Sequence, residues 1–194
     1  MRSVFVIAVA VLAALPAAFA QTTGDGTAPV AVEEPQSRLD RLFSELKRTR
    51  NEQAAERISA RIQQEWAKSG SATVDLLMQW AQKAAAEEKT AAAMDFLDQV
   101  TMLAPGYAEG WNRRAILHVS MDEYGKAMSD IRRTLELEPR HFGALEGMAA
   151  LLEEYGRKQA ALHAYERLLD VYPMMRSAQT ELGRLADEIA GQGI

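Results

Sequence analysis

The chain has 194 residues, 48% hydrophobic and 25% charged, which suits a soluble globular protein with room for one ordinary domain. It contains no cysteine, so disulfides, thiolate metal sites and a cysteine nucleophile are excluded. A net charge of −5 argues against a nucleic-acid partner, which needs a concentrated basic face.

Residues 1–20 read as an export signal. Met1-Arg2-Ser3 is a short basic start, Val4 to Leu15 is an unbroken apolar run, Pro16 breaks any helix, and Ala18-Phe19-Ala20 ends in a small-x-small cleavage pattern. Cleavage after Ala20 and a periplasmic destination are expected. The alternative is an uncleaved anchor, because the segment nearly has the length to span a bilayer. No other segment reaches the ~18 apolar residues of a membrane helix, so no stable membrane insertion is expected after cleavage. Residues 21–36 (QTTGDGTAPVAVEEPQ) combine two glycines and two prolines with small and acidic side chains, and predict a flexible linker.

Downstream of the linker, alanine, leucine, glutamate and arginine dominate, and alternating β-type stretches are absent. Residues 37–69 predict a helical hairpin. Leu39, Leu42, Phe43 and Leu46 make one i, i+3, i+4, i+7 stripe, and Ala55, Ile58, Ile62 and Trp66 make another.

From residue 74 to 175 a period of 34 residues takes over. Pro105, Pro139 and Pro173 are each 34 residues from the last. Aligning on them brings other positions into line. Ala81, Ala115 and Ala149 coincide, as do Ala93, Ala127 and Ala161. Leu77, Trp111 and Leu145 match, then Leu97, Ile131 and Tyr165, then Leu103, Leu137 and Val171. Small residues at two fixed places let paired helices approach, and large apolar ones fill the space around them. Three units follow, 74–107, 108–141 and 142–175, with helices expected near 74–87, 90–103, 108–121, 124–137, 142–155 and 158–171. Gly156 and the Asp122-Glu123 corner fit turns within units, and the prolines end each second helix. The 37–69 hairpin is in register with this period but lacks its alanines and proline, which makes it a degenerate leading repeat or an N-terminal cap. Residues 176–190, with Ala178, Leu182, Leu185 and Ile189 on one face, predict a closing helix with a polar outer side.

The period, with Trp111, Ala115, Ala127 and Pro139 in one unit and Ala149, Gly156, Ala161, Tyr165 and Pro173 in the next, resembles the tetratricopeptide-repeat (TPR) family. The resemblance implies an all-α, right-handed solenoid with an N-terminal helical cap and a C-terminal capping helix. It further implies a concave groove lined by the first helix of each pair, in which such proteins grip an extended or helical peptide.

On that groove the candidate partner-binding residues are Met78, Gln82, Glu109, Asn112, Arg113, Ile116 and Glu146. Arg140 and His141, at a repeat junction, are candidates to hold a partner's carboxylate. Arg114 falls where the flanking units carry Trp80 and Met148, a half-buried place, and an ion pair with Asp98 and Asp130 is expected. His118, His141 and His163 lack ligand spacing, so no metal is expected. No phosphate loop, nucleophile elbow or acid–base pair stands out, and no cofactor and no enzyme activity are predicted. The expected function is that of a periplasmic adaptor or scaffold for a protein or peptide partner, an envelope protein, supporting envelope assembly or integrity. The alternative is a chaperone-like holder of exported or secretion-system polypeptides.

Overall fold

The computed structural model describes residues 34–191, which form nine α-helices and no strand. The expected export signal and nearly all of the expected linker lie outside the described residues. α1 (Pro35–Arg48) and α2 (Glu52–Trp66) form a leading hairpin. Three more hairpins follow: α3 (Ala72–Ala86) with α4 (Thr90–Leu103), α5 (Ala108–Ser120) with α6 (Tyr124–Leu137), and α7 (Phe142–Glu154) with α8 (Lys158–Val171). α9 (Arg176–Gly191) closes the chain. α1 starts on Pro35, a residue preset for the first helical position, so the helix begins slightly before residue 37.

Within each repeat the first helix ends on a left-handed residue. Glu88 (φ 57°), Asp122 (φ 58°) and Gly156 (φ 68°) occupy this position, each 34 residues from the last. The following amide then donates back to a carbonyl in the last helical turn: Lys89 to Ala84 (2.9 Å), Glu123 to His118 (2.9 Å) and Arg157 to Leu152 (2.8 Å). Between repeats, the residue before each proline leaves the helical region. Ala104 (φ −132°), Glu138 (φ −136°) and Tyr172 (φ −128°) do so because the proline ring clashes with a helical predecessor. The aligned alanines are all buried where the paired helices cross, as their lack of bulk requires.

The leading hairpin does not stack on α3. α2 and α3 do not pack along each other, whereas α1 packs on α8. Arg140 donates to Asp40 (2.7 Å) and lies over the Phe43 ring at 4.2 Å. Trp66 stacks on His141 at a centroid distance of 4.1 Å, and Arg176 donates to Glu52 (3.0 Å). The hairpin thus lies along the inter-repeat turns of the second and third repeats. This differs from the leading-repeat position expected from register, and the residues explain why. Lys47 and Ser59 stand where Ala81 and Ala93 would be, and Trp66 stands where Val100, Thr134 and Leu168 are fully buried. A lysine at the helix crossing and an indole in a space sized for valine prevent the tight repeat geometry. The hairpin instead buries Leu42, Leu46 and Ile62 in one continuous core with α5 to α9. α3 keeps two exposed apolar residues, Leu76 and Trp80, on the side a preceding repeat would cover.

The core is interrupted between the first and second repeats. Arg114 donates through Nε and Nη2 to both oxygens of Asp130 (2.7 and 2.8 Å) and through Nη1 to Asp98 (2.9 Å) and Thr101 (3.0 Å). This is the ion pair expected from the sequence, with the Trp111 ring 4.7 Å from the guanidinium as a further support. At the other end α9 buries Ala178 and Leu185 and turns Glu181, Arg184 and Glu188 outward.

Candidate partner-binding cleft

The first helices α3 and α5 stand side by side with a cleft of about 670 Å³ between them. Its apolar wall is built from Met78, Ala81 and Ala85 on α3 and Ile116 and Leu117 on α5, with Leu97 from α4 behind. Alanines on α3 leave the space, and Ile116 faces it 56% exposed. Gln82 and Arg113 stand at the edge. A few hundred cubic ångströms with an apolar wall and a small polar rim is the usual form of a ligand site.

Glu109 closes one side of the cleft and is buried. It accepts hydrogen bonds from Arg113 Nε (2.5 Å), Asn112 Nδ2 (3.2 Å) and His141 Nε2 (3.0 Å). Burial pushes its carboxyl up, but the His141 hydrogen bond and the Arg113 charge outweigh that and hold it below the ordinary carboxylate range. His141 Nδ1 accepts from the Ala144 amide (3.1 Å) as the N-cap of α7. With Nδ1 accepting, the proton of this tautomer sits on Nε2, facing Glu109.

The expected binding residues therefore divide. Met78, Gln82, Glu109, Arg113 and Ile116 come together around the cleft. Asn112 is buried beside Glu109, and His141 is covered by Trp66. Arg140 is bound by Glu138 and Asp40. Glu146 lies apart, in a shallower depression with Glu52, Met174 and Arg176, where it accepts from Ser177 (3.2 Å).

Sequence reasoning missed Asp75, Glu88 and Tyr107, which also line the cleft. Asp75 accepts the Ser69 amide (2.9 Å) and hydroxyl (2.6 Å). The Tyr107 hydroxyl is shielded from solvent and has no hydrogen-bond partner. Burial pushes its phenol far above the ordinary tyrosine range, so it stays a protonated donor. A signal for both existed: Asp75 shares its repeat position with Glu109, and Tyr107 shares one with His141.

Among the described residues no group of three His, Asp or Glu side chains is placed to hold a metal, and no helix is long and apolar enough to cross a membrane.

No protein-family profile matches the sequence. A TPR repeat-containing protein of Rhizobium etli is 53% identical over 161 residues, covering 83% of this chain and 79% of that protein. The chain belongs to the TPR repeat proteins. Small glutamine-rich tetratricopeptide repeat-containing protein 2 of Saccharomyces cerevisiae is 26% identical over 117 residues, 60% of this TPR chain and 34% of the yeast protein. Among solved structures, the first TPR of Spaghetti (RPAP3) bound to the HSP90 peptide SRMEEVD has a TM-score of 0.58 at 20% identity, covering 61% of this chain and 94% of that one. The Sgt2 TPR domain from Aspergillus fumigatus gives 0.58 at 18% identity, covering 63% and 83%. At these identities the two structures establish the shared TPR fold alone.

Proposed function

We propose that this TPR protein is a non-catalytic interaction module of the periplasm that grips a peptide segment of an envelope protein between α3 and α5, as an adaptor or scaffold in envelope assembly or integrity. The observation that carries this reading is the open apolar wall at Ile116, a large aliphatic side chain left 56% exposed on the lining of the cleft between α3 and α5. An exposed aliphatic in a concave site marks a place for a partner's apolar group. Met78 and Ile116 supply the apolar contact, Gln82 and Arg113 the polar one, and Asn112 with Glu109 holds Arg113 in place. Peptide binding by a structural neighbour, RPAP3 with an HSP90 peptide, supports a peptide as the form of the partner. The pattern of residues 1–20 supports the location.

A photo-crosslinking residue at Ile116, activated in intact cells and followed by mass spectrometry, is expected to capture one or two specific proteins. Recovery of no specific partner from Ile116, Gln82 and Met78 alike sinks the reading. Cell fractionation with N-terminal sequencing tests the location; the expected mature chain starts at Gln21.

A further inference from the structure

The cleft carries charge as well as shape. Three carboxylates line it, Asp75, Glu88 and Glu109, against one guanidinium, Arg113. The charge of that guanidinium is offset by Glu109, since Arg113 Nε lies 2.5 Å from Glu109 Oε1, while its half-exposed side chain keeps its place at the rim. Asp75 is held by two uncharged donors of Ser69, which fix its orientation and leave its charge in place. Glu88 stands at the far end of α3 on the left-handed corner of the turn, exposed to solvent. Between these acids runs the apolar wall of Met78, Ala81, Ala85 and Ile116. A separate depression between α2 and α7 is acidic too, with Glu52, Glu56 and Glu146 against Arg176, which is paired to Glu52.

From this arrangement we infer that the cleft selects a short peptide segment with one bulky aliphatic or aromatic side chain flanked by lysine or arginine, and rejects acidic segments. The inference rests on the cleft being the binding surface and adds the chemistry of what it takes. The apolar side chain fills the space beside Ile116, and flanking cations meet Asp75 at one end and Glu88 at the other. A carboxylate-bearing segment meets like charge at both ends, and like-charge juxtaposition discriminates strongly between partners. The basic side chains of the repeat junction offer a carboxylate nothing either: Arg140 is bound by Glu138 and Asp40, and both ring nitrogens of His141 are taken by Glu109 and the Ala144 amide.

The test uses three fluorescein-labelled heptapeptides with the same central phenylalanine, flanked by lysines, by glutamines or by glutamates, titrated against the full chain by fluorescence anisotropy. The lysine peptide is expected to bind at least about tenfold tighter than the glutamate peptide. Its advantage should shrink as salt rises. It should also shrink in Glu88→Lys, an exposed substitution that keeps the turn. Ile116→Asp should abolish binding of all three while leaving the fold intact, since the side chain is exposed. Equal or tighter binding of the glutamate peptide overturns the charge selection and leaves the cleft as the binding surface. Binding that ignores Ile116→Asp, or none of the three binding, overturns both.

Discussion

His141 Nε2 lies 3.0 Å from Glu109 Oε2, a buried hydrogen bond between the N-cap of α7 and the first turn of α5. The same imidazole caps α7 through Nδ1 and stacks on Trp66 of the leading hairpin, so one ring ties three parts of the chain together. His141→Ala removes a cap, a stacking surface and a partner of a buried carboxylate at once. It is expected to cost about 3 kcal/mol in urea-induced unfolding. A loss under about 1 kcal/mol would mean that this junction is not a point of coupling.

Glu109 gives the protein an acid-sensitive element. Its folded value lies below the ordinary 4.5 despite burial, because His141 and Arg113 favour the ionised form. On falling pH the unfolded chain takes up this proton first. The stabilisation is therefore complete above pH 4.5 and is lost as the pH drops through the lower, folded value. Thermal melts from pH 7 to pH 3 are expected to fall more steeply below 4.5 in the wild type than in Glu109→Gln, which has no such proton to bind. Parallel acid limbs would show that Glu109 does not contribute.

Arg114 and Asp130 form a two-pronged pair whose members are both largely covered. Arg114→Met alone strands Asp130 with His118 Nε2 at 3.8 Å as its remaining basic neighbour. The expected cost is about 3 kcal/mol. Adding Asp130→Leu removes the stranded charge and is expected to recover most of that loss, because apolar replacement of a whole buried pair is often neutral. Equilibrium unfolding of the two single variants and the double variant gives the coupling. A fully additive cycle would count against the pair.

The left-handed corner of the first repeat is occupied by Glu88, whereas the third repeat uses Gly156. A Cβ at positive φ costs about 1–2 kcal/mol, and glycine's extra freedom in the unfolded chain takes back about 0.5–1 kcal/mol of the relief. Glu88→Gly is therefore expected to stabilise the protein by about 0.5–1 kcal/mol, read as a rise in melting temperature. The equivalent change at Asp122 should gain less, since it also removes the hydrogen bond from the Tyr124 hydroxyl.

The proline period was enough to place α3 to α8 within two residues of their observed ends, because turn chemistry and helix crossings recur with it. The Arg114 pair was legible for the same reason: register put Asp98 and Asp130 on the helices beside it. What register did not carry was the seat of the leading hairpin. Its stripes reveal two apolar faces, but which surface they cover depends on tertiary fit, and Trp66 fits against His141 and Phe142. The candidate site was legible only in part. Arg140 and His141 looked accessible at a repeat junction, but Arg140 is bound by Glu138 and Asp40 and His141 is held among Trp66, Glu109 and the Ala144 amide, while Met78, Gln82 and Ile116 line the open cleft.

The seat of the hairpin makes opposite demands on two tryptophans. Trp66 is buried among Phe43, His141 and Phe142, where the hairpin meets the second and third repeats. Trp80 lies on the outer side of α3, 45% exposed, touching Phe96. If the hairpin stacked ahead of α3, Trp80 would be the covered side chain, because its counterpart Arg114 packs on the preceding second helix. With the hairpin on the inter-repeat turns, Trp66→Ala is expected to cost about 3–5 kcal/mol and Trp80→Ala about 1 kcal/mol or less. Emission of the two single-tryptophan-deleted proteins reports the same difference. Loss of Trp66 should remove a blue-shifted, quencher-protected component, and loss of Trp80 a solvent-accessible one. The reverse ranking in stability and quenching would return the hairpin to the leading-repeat position.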